Sequence, residues 1–228
     1  MNFIFMLTQH DQTVQNALEV FETLADSDLE YVGFKDIGLP LSELKLLSQA
    51  IRASGKKVML EVVSLEASAE LNSAAAALTL EVDYLLGGTH ATEVLPLLAG
   101  TPIQYFPFCG RIEGHPSNLR GSSQDIVQHA QALTAYEGVH GLDLLAYRWD
   151  GHVPSLTKAV VSGVNKPVIA AGSVDNFERI QALHSVGVWG FTIGSAMFAN
   201  QYPGGSVRAQ VDWVNQQLST LEQHKENA

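Results

Sequence analysis

Apolar residues along this 228-residue chain fall into short continuous runs separated by stretches of longer period. The runs are rich in β-branched and aromatic residues: "FIFMLT" (3–8), "YVGFKD" (31–36), "KVMLEVV" (57–63) and "VDYLLGG" (82–88). Four more follow: "IQYFPF" (103–108), "LDLLAYR" (142–148), "PVIAAG" (167–172) and "WGFTIG" (189–194). Between them the period changes to that of a helix with one buried face. Val14, Leu18, Phe21 and Leu24 form one such set, and Leu44, Leu47 and Ile51 another. Ile126, Ala130 and Leu133, then Ile180, Leu183 and Val186, repeat the i, i+3, i+4, i+7 spacing. Val207, Val211, Val214, Leu218 and Leu221 predict a closing amphipathic helix that frays into "EQHKENA" (222–228). The Ala-rich "SAAAALTL" (73–80) fits a helix lying close against a sheet.

Strand followed by helix, repeated eight times, implies parallel strands joined by right-handed crossovers. That pattern predicts a single (β/α)8 TIM barrel over 1–228. An open doubly wound sheet is the rival. It would carry a glycine-rich turn after the first strand, where this chain has Thr8-Gln9-His10-Asp11. No Pro/Ser-rich linker or composition shift divides the chain.

Composition narrows the partners. The chain is 46% hydrophobic and 16% charged, ordinary for one sizeable core. A net charge of -11 argues against nucleic acid and anionic membranes. It leaves room for an anionic small molecule held by backbone amides and a few local cations. Cys109 is the only cysteine, which fits a reducing compartment. The opening "MNFIFMLTQHD" lacks a basic leader and a cleavage site, so a cytoplasmic location is expected. A homodimer is left open.

Candidate chemistry comes from strand ends, because a barrel of this kind places its catalytic groups at the carboxyl ends of its strands. The seventh run ends in Ala171-Gly172-Ser173 and the eighth in Gly194-Ser195, followed by the short helical "SAMFAN" (195–200). Glycines let backbone N–H groups approach an anion, and the serines add hydroxyl donors. Gly172, Ser173, Gly194 and Ser195 are therefore the expected phosphate-binding residues.

"IAAGSVDN" with "GFTIGSAMF" resembles the paired phosphate motif of the ribulose-phosphate-binding barrel superfamily. That superfamily contains isomerases, epimerases, aldolases and decarboxylases of phosphorylated metabolites, so the resemblance implies a phosphorylated small-molecule substrate. Over its whole length the chain is also similar to a group of short bacterial barrels, through "VGFKDIGLP", "LEVVS", "LLGGTH", "GRIEGHPS" and "GLDLLAYR". That group often bears the label 4-hydroxythreonine-4-phosphate dehydrogenase, an oxidoreductase. The authentic dehydrogenase resembles a longer, two-lobed enzyme using metal and NAD, and this chain shows no dinucleotide fingerprint.

Side chains alternate along a strand. Phe34 suits the outer layer, which turns Lys35 inward; Val58, Leu60 and Val62 do the same for Glu61. Lys35 and Glu61 are then neighbours at the mouth, with Lys35 as base and Glu61 as its proton relay. Asp36 is a candidate cap of the next turn. In "LDLLAYR", Asp143, Leu145 and Tyr147 share one parity and Arg148 has the other. Tyr147 is a candidate donor to a carbonyl oxygen and Arg148 a candidate anion contact. His90, after Gly87-Gly88-Thr89, is a candidate acid or base. The long connection after the fifth run, "CGRIEGHPSNLRGSS" (109–123), offers Arg111 and His115 as substrate contacts on a lid, with Arg120 a surface cation. His10, His90 and His115 with Glu61 form a conceivable metal set. Metal-binding epimerases of the superfamily place their ligands where this chain has Lys35, Glu61 and Ala171, so neither metal nor cofactor is expected. The expected reaction is proton transfer next to a carbonyl, as in an isomerase or epimerase. A Schiff-base aldolase through Lys35, a non-catalytic phosphometabolite-binding protein and, last, an NAD- or flavin-dependent oxidoreductase are the alternatives.

Overall fold

The structure is a computed structural model that describes residues 1–226, with side chains through residue 223. Eight parallel strands form the barrel: β1 (Asn2–Met6), β2 (Tyr31–Lys35), β3 (Lys57–Val62), β4 (Tyr84–Gly87), β5 (Gln104–Phe106), β6 (Leu142–Leu144), β7 (Val168–Ala170) and β8 (Gly190–Ile193). They pair in sequence order, and β8 returns to β1. Between β5 and β6 the circle closes through parallel bridges from Tyr105 to Val139 and from Phe108 to Asp143. The helices wrapping it are α1 (Ala17–Glu22), α2 (Leu41–Ala53), α3 (Ala67–Thr79), α4 (Ala91–Leu98), α5 (Ser123–Thr134), α6 (Val153–Gly163) and α7 (Phe177–Val186). After β8 come a one-turn helix α8 (Ser195–Phe198) and the long α9 (Val207–Glu226). Helix α9 continues through much of the segment expected to fray, and residues 227 and 228 lie outside the described ones. None of the described helices is long and apolar enough to cross a membrane.

Strand alternation divides the apolar residues into two separate layers. Phe34, Val58, Leu60, Val62, Leu142 and Leu144 belong to the large layer between barrel and helices. Ile4, Met6, Tyr31, Met59, Leu86, Phe106 and Ile169 fill the barrel itself, with Tyr84 and Trp189 packed against them. A helix covering each strand makes both faces dry, which is why the strands read as nearly continuous apolar runs. Any charge on an inward position is conspicuous against that background. Three such positions, Lys35, Glu61 and Asp143, are buried at 6%, 5% and 0% exposure.

Two antiparallel hairpins interrupt the strand–helix rhythm. Thr8–Gln9 pairs with Gln12–Thr13 directly after β1, and Arg111–Glu113 pairs with Asn118–Arg120 after β5. Both lie at the carboxyl end of the barrel and shape its mouth.

Candidate active site

A cavity of about 260 Å³ opens at the carboxyl ends of the strands. Its lining includes Asp11, Lys35, Glu61, Arg148, Gly172, Ser173, Asp175, Thr192, Gly194 and Ser195. The inward turn of Lys35 and Glu61 follows from strand parity. Their Cα positions are level on β2 and β3, and Lys35 Nζ donates to Glu61 Oε1 at 3.0 Å. The main chain of Lys35 is pinned by Thr13, whose hydroxyl donates to the Lys35 carbonyl and accepts from its amide, both at 2.8 Å.

Asp11 is the residue that sequence reasoning missed. It sits at the turn of the first hairpin, where His10 and Asp11 both adopt left-handed backbone, φ 52° and 58°. Aspartate tolerates that conformation better than most residues. The turn swings its side chain back over the barrel, where one carboxylate meets four donors. Lys35 Nζ reaches Oδ1 at 3.1 Å, and Arg148 grips both oxygens at 2.8 and 2.9 Å. The Ser117 amide donates to Oδ2 at 3.2 Å, and Arg148 also donates to the Ser117 carbonyl at 3.1 Å. One carboxylate thus ties the ends of β1, β2, β5 and β6 together. An acid directly after the first strand was the available signal.

The electrostatics follow from these contacts. Burial alone would raise the Asp11 pKa, but Arg148 and Lys35 hold it far below the usual carboxylate range. Burial pulls Lys35 down, yet Glu61 and then Asp11 more than offset it, so its ammonium form is favoured. Asp143 shows the opposite behaviour: burial first, then Glu61, push it well above the ordinary value, against Lys35 and Arg148. Asp36 accepts from the Val63 amide at 3.2 Å and from the Ser73 hydroxyl, so it braces the end of β3 and helix α3 rather than capping the turn that follows β2.

The two glycyl-seryl corners line the same cavity. Gly172 and Ser173 are both left-handed, φ 77° and 54°. A Cβ at Gly172 would lie 2.8 Å from Arg148 Cγ, so the missing side chain is what lets Arg148 cross to Asp11. At Gly194 a Cβ would lie 2.6 Å from Thr8 Oγ1. Ser173 and Ser195 are exposed, and the His10 amide donates to Ser195 Oγ at 3.3 Å. Arg179 donates to the Ser173 carbonyl and pairs with Asp175 at 3.0 Å, fixing the first corner from α7.

Other sequence candidates stand outside the cavity. The sixth run was read as strand through Arg148, but β6 stops at Leu144 and a 3-10 turn covers Ala146–Arg148. That break sends Arg148 into the cavity and Tyr147 into a neighbouring groove. There the Tyr147 ring lies 4.6 Å under the Arg179 guanidinium, and its hydroxyl donates to the Arg179 carbonyl at 3.4 Å. His90 is turned outward by Glu70 of α3, 2.9 Å from His90 Nδ1. The same buried carboxylate accepts the Thr89 and His90 amides. Arg111 and His115 are exposed on the second hairpin; Arg111 pairs with Glu113 at 3.3 Å. That hairpin meets the site through the Ser117 backbone instead. Arg120 pairs with Asp150 at 2.8 Å, and Cys109 is buried. Among the described residues, no three His, Cys, Asp or Glu side chains are grouped to hold a metal ion.

Comparison with protein-family profiles and with curated proteins gives no match. Comparison with solved structures gives many. Orotidine 5'-phosphate decarboxylase from Pyrococcus horikoshii OT3 superposes with a TM-score of 0.64 at 10% identity, covering 90% of this chain and 93% of its own. What they share is the barrel. N-acetylmannosamine-6-phosphate 2-epimerase from Clostridium perfringens gives 0.62 at 8% identity, covering 96% and 93%. A glycerol uptake operon antiterminator regulatory protein from Listeria monocytogenes gives 0.59 at 17% identity, covering 86% and 92%. By their names, the first two act on phosphorylated compounds. At these identities the likeness establishes the fold and leaves the reaction to the site.

Proposed function

We propose that this chain is an enzyme acting on a small phosphorylated sugar or hydroxy-carbonyl metabolite, moving a proton on the carbon next to a carbonyl. The observation carrying this reading is one cavity lined at once by both glycyl-seryl corners and by the buried Lys35–Glu61 pair. In this reading, amides and hydroxyls of Gly172, Ser173, Gly194 and Ser195 receive the phosphate. That leaves the carbonyl end of the substrate at Lys35 and Glu61.

The contacts favour roles different from those read off the sequence. A lysine flanked by two carboxylates within 3.1 Å is held as ammonium, a poor base and a poor Schiff-base nucleophile. As ammonium it suits the carbonyl oxygen, where charge develops as the enediolate forms. Glu61 then accepts the proton: the C–H bond breaks, its electron pair becomes the C=C bond, and the carbonyl π pair moves to the oxygen facing Lys35. Glu61 returning the proton to the adjacent carbon, with the hydroxyl proton passing to the enediolate oxygen, gives an isomer; an epimer takes its proton from water on the opposite face. Arg148, its charge already divided between Asp11 and the Ser117 carbonyl, holds the mouth in shape.

The test is deuterium incorporation from heavy water into a panel of phosphorylated aldoses and ketoses. The parent should exchange at least one member, and Glu61→Gln should slow that exchange by about 10²–10⁴-fold. Exchange with no panel member would remove the reaction class. A regulatory protein with the same barrel supports a second, non-catalytic reading. That reading expects phosphometabolites to raise the melting temperature of both parent and Glu61→Gln, with no turnover by the parent. Borohydride trapping of a Lys35 adduct would instead favour an aldolase.

A further inference from the structure

Asp143 is a charged-type residue that the reaction above leaves without a task. It occupies the inward face of β6 with no solvent exposure, and neither carboxyl oxygen has a hydrogen-bond partner. Its neighbours Leu142 and Leu144 face the helices. Level with it on β7 is Ile169, part of the apolar filling of the barrel. A carboxyl group therefore stands where the adjacent strand supplies hydrocarbon. Its main chain is fully used: the amide donates to the Pro107 carbonyl at 2.9 Å, and its carbonyl accepts from Cys109 at 3.2 Å. Only the side chain is orphaned. A leucine would suit the layer better, and unpartnered buried groups in native proteins call for an explanation. Carboxyls kept against stability concentrate at functional sites.

The charged groups that act on it identify the site it serves. They are Glu61 on β3, Lys35 on β2 and Arg148 in the turn after β6, and its own charge acts on the Cys109 thiol after β5. The thiol is pushed up to about 12, first by burial and then by Asp143, so it stays neutral. Lys35 and Arg148 supply two positive charges and Asp11 and Glu61 two negative ones, which already balance.

We propose that Asp143 is a neutral carboxylic acid beneath the site, a positioning residue that keeps its own proton and so adds no negative charge beside the Lys35–Glu61 ion pair. This rests on the proton-transfer reading above. Ionising Asp143 would place a third carboxylate under the cavity. That charge would oppose both the enediolate and the phosphate, so activity must fall as pH rises into the range where Asp143 titrates. Its proton is not consumed in the cycle.

Two measurements test this, one independent of activity. The infrared spectrum of the parent at neutral pH should contain a protonated-carboxyl band that disappears in Asp143→Asn. Should that variant fail to fold, Asp143→Leu gives the same difference spectrum. No band overturns the proposal. In heavy-water exchange, the alkaline fall seen with the parent should move to higher pH in Asp143→Asn, a change that a merely structural role would not produce. An unmoved alkaline limb, with the parent still exchanging, overturns the role of Asp143 alone. Failure of the parent to exchange any substrate overturns the proton-transfer reading and the role built on it, while the band still reports the acid.

Discussion

The floor and the mouth of this barrel are filled with opposite chemistry. At the floor, Tyr31, Tyr84, Phe106 and Trp189 close on one another, with Tyr31 and Trp189 centroids 5.4 Å apart and Tyr84 and Phe106 centroids 5.7 Å apart. At the mouth, Lys35, Asp11, Glu61 and Arg148 form an ion-pair network. Strand β2 shows the change within five residues: Tyr31, Gly33 and Lys35 all face inward, running from ring to ammonium. Buried rings contribute stability through area and edge-to-face contact. Buried ion pairs roughly cancel their own desolvation and are poor sources of stability. The floor therefore holds the barrel, and the mouth adds little net stability of its own.

Perturbing the two ends separately should expose that division. The largest effect is expected from Asp11→Ala, which strands Lys35 and Arg148 without their shared partner. Breaking a buried pair in this way costs about 3–5 kcal/mol, and the exchange activity should be lost with it. The effect has a sign in pH. Because the folded state holds the Asp11 pKa below its ordinary 3.8, its contribution is present above that value and declines as pH falls through it toward the folded value. Urea denaturation of parent and variant should thus converge in strong acid.

A comparable loss of stability, but with a different signature, is expected at the floor. Phe106 is buried at 2% exposure, and Phe106→Ala should cost about 3–5 kcal/mol. Exchange per folded molecule should nevertheless remain near that of the parent, since no floor ring lines the cavity. If this variant lost activity out of proportion to its folded fraction, the two ends would not be separable. The smallest effect is expected from Arg111→Ala on the exposed hairpin. Its stability should stay within about 0.5 kcal/mol of the parent, with exchange unchanged.

Much of this arrangement was legible in the sequence, and the misses have local causes. Eight apolar runs alternating with helical stretches specify the barrel because each strand is dry on both faces. Lys35 and Glu61 were placed because each sits within an unbroken strand, where parity carries from one residue to the next. Tyr147 was misplaced where that rule lapsed, since β6 ends at Leu144 and the 3-10 turn discards the register; the same turn brings Arg148 to the cavity. His90 was misread because Glu70, its partner, belongs to a different helix 20 residues away. Asp11 depends on two consecutive left-handed residues, a backbone choice that no hydrophobic pattern encodes. Asp143 was visible as an acid of inward parity in an apolar run, but its lack of partners is a property of the packed interior.

The central claim is that the glycyl-seryl corners and the Lys35–Glu61 pair serve one ligand. A crystal structure of the protein grown with a phosphorylated ketose tests it most directly. The phosphate should lie within hydrogen-bond reach of the Ser173 and Ser195 corners, with the carbonyl oxygen facing Lys35 Nζ. A phosphate bound elsewhere, or a ligand whose carbonyl end points away from Lys35 and Glu61, would contradict the account.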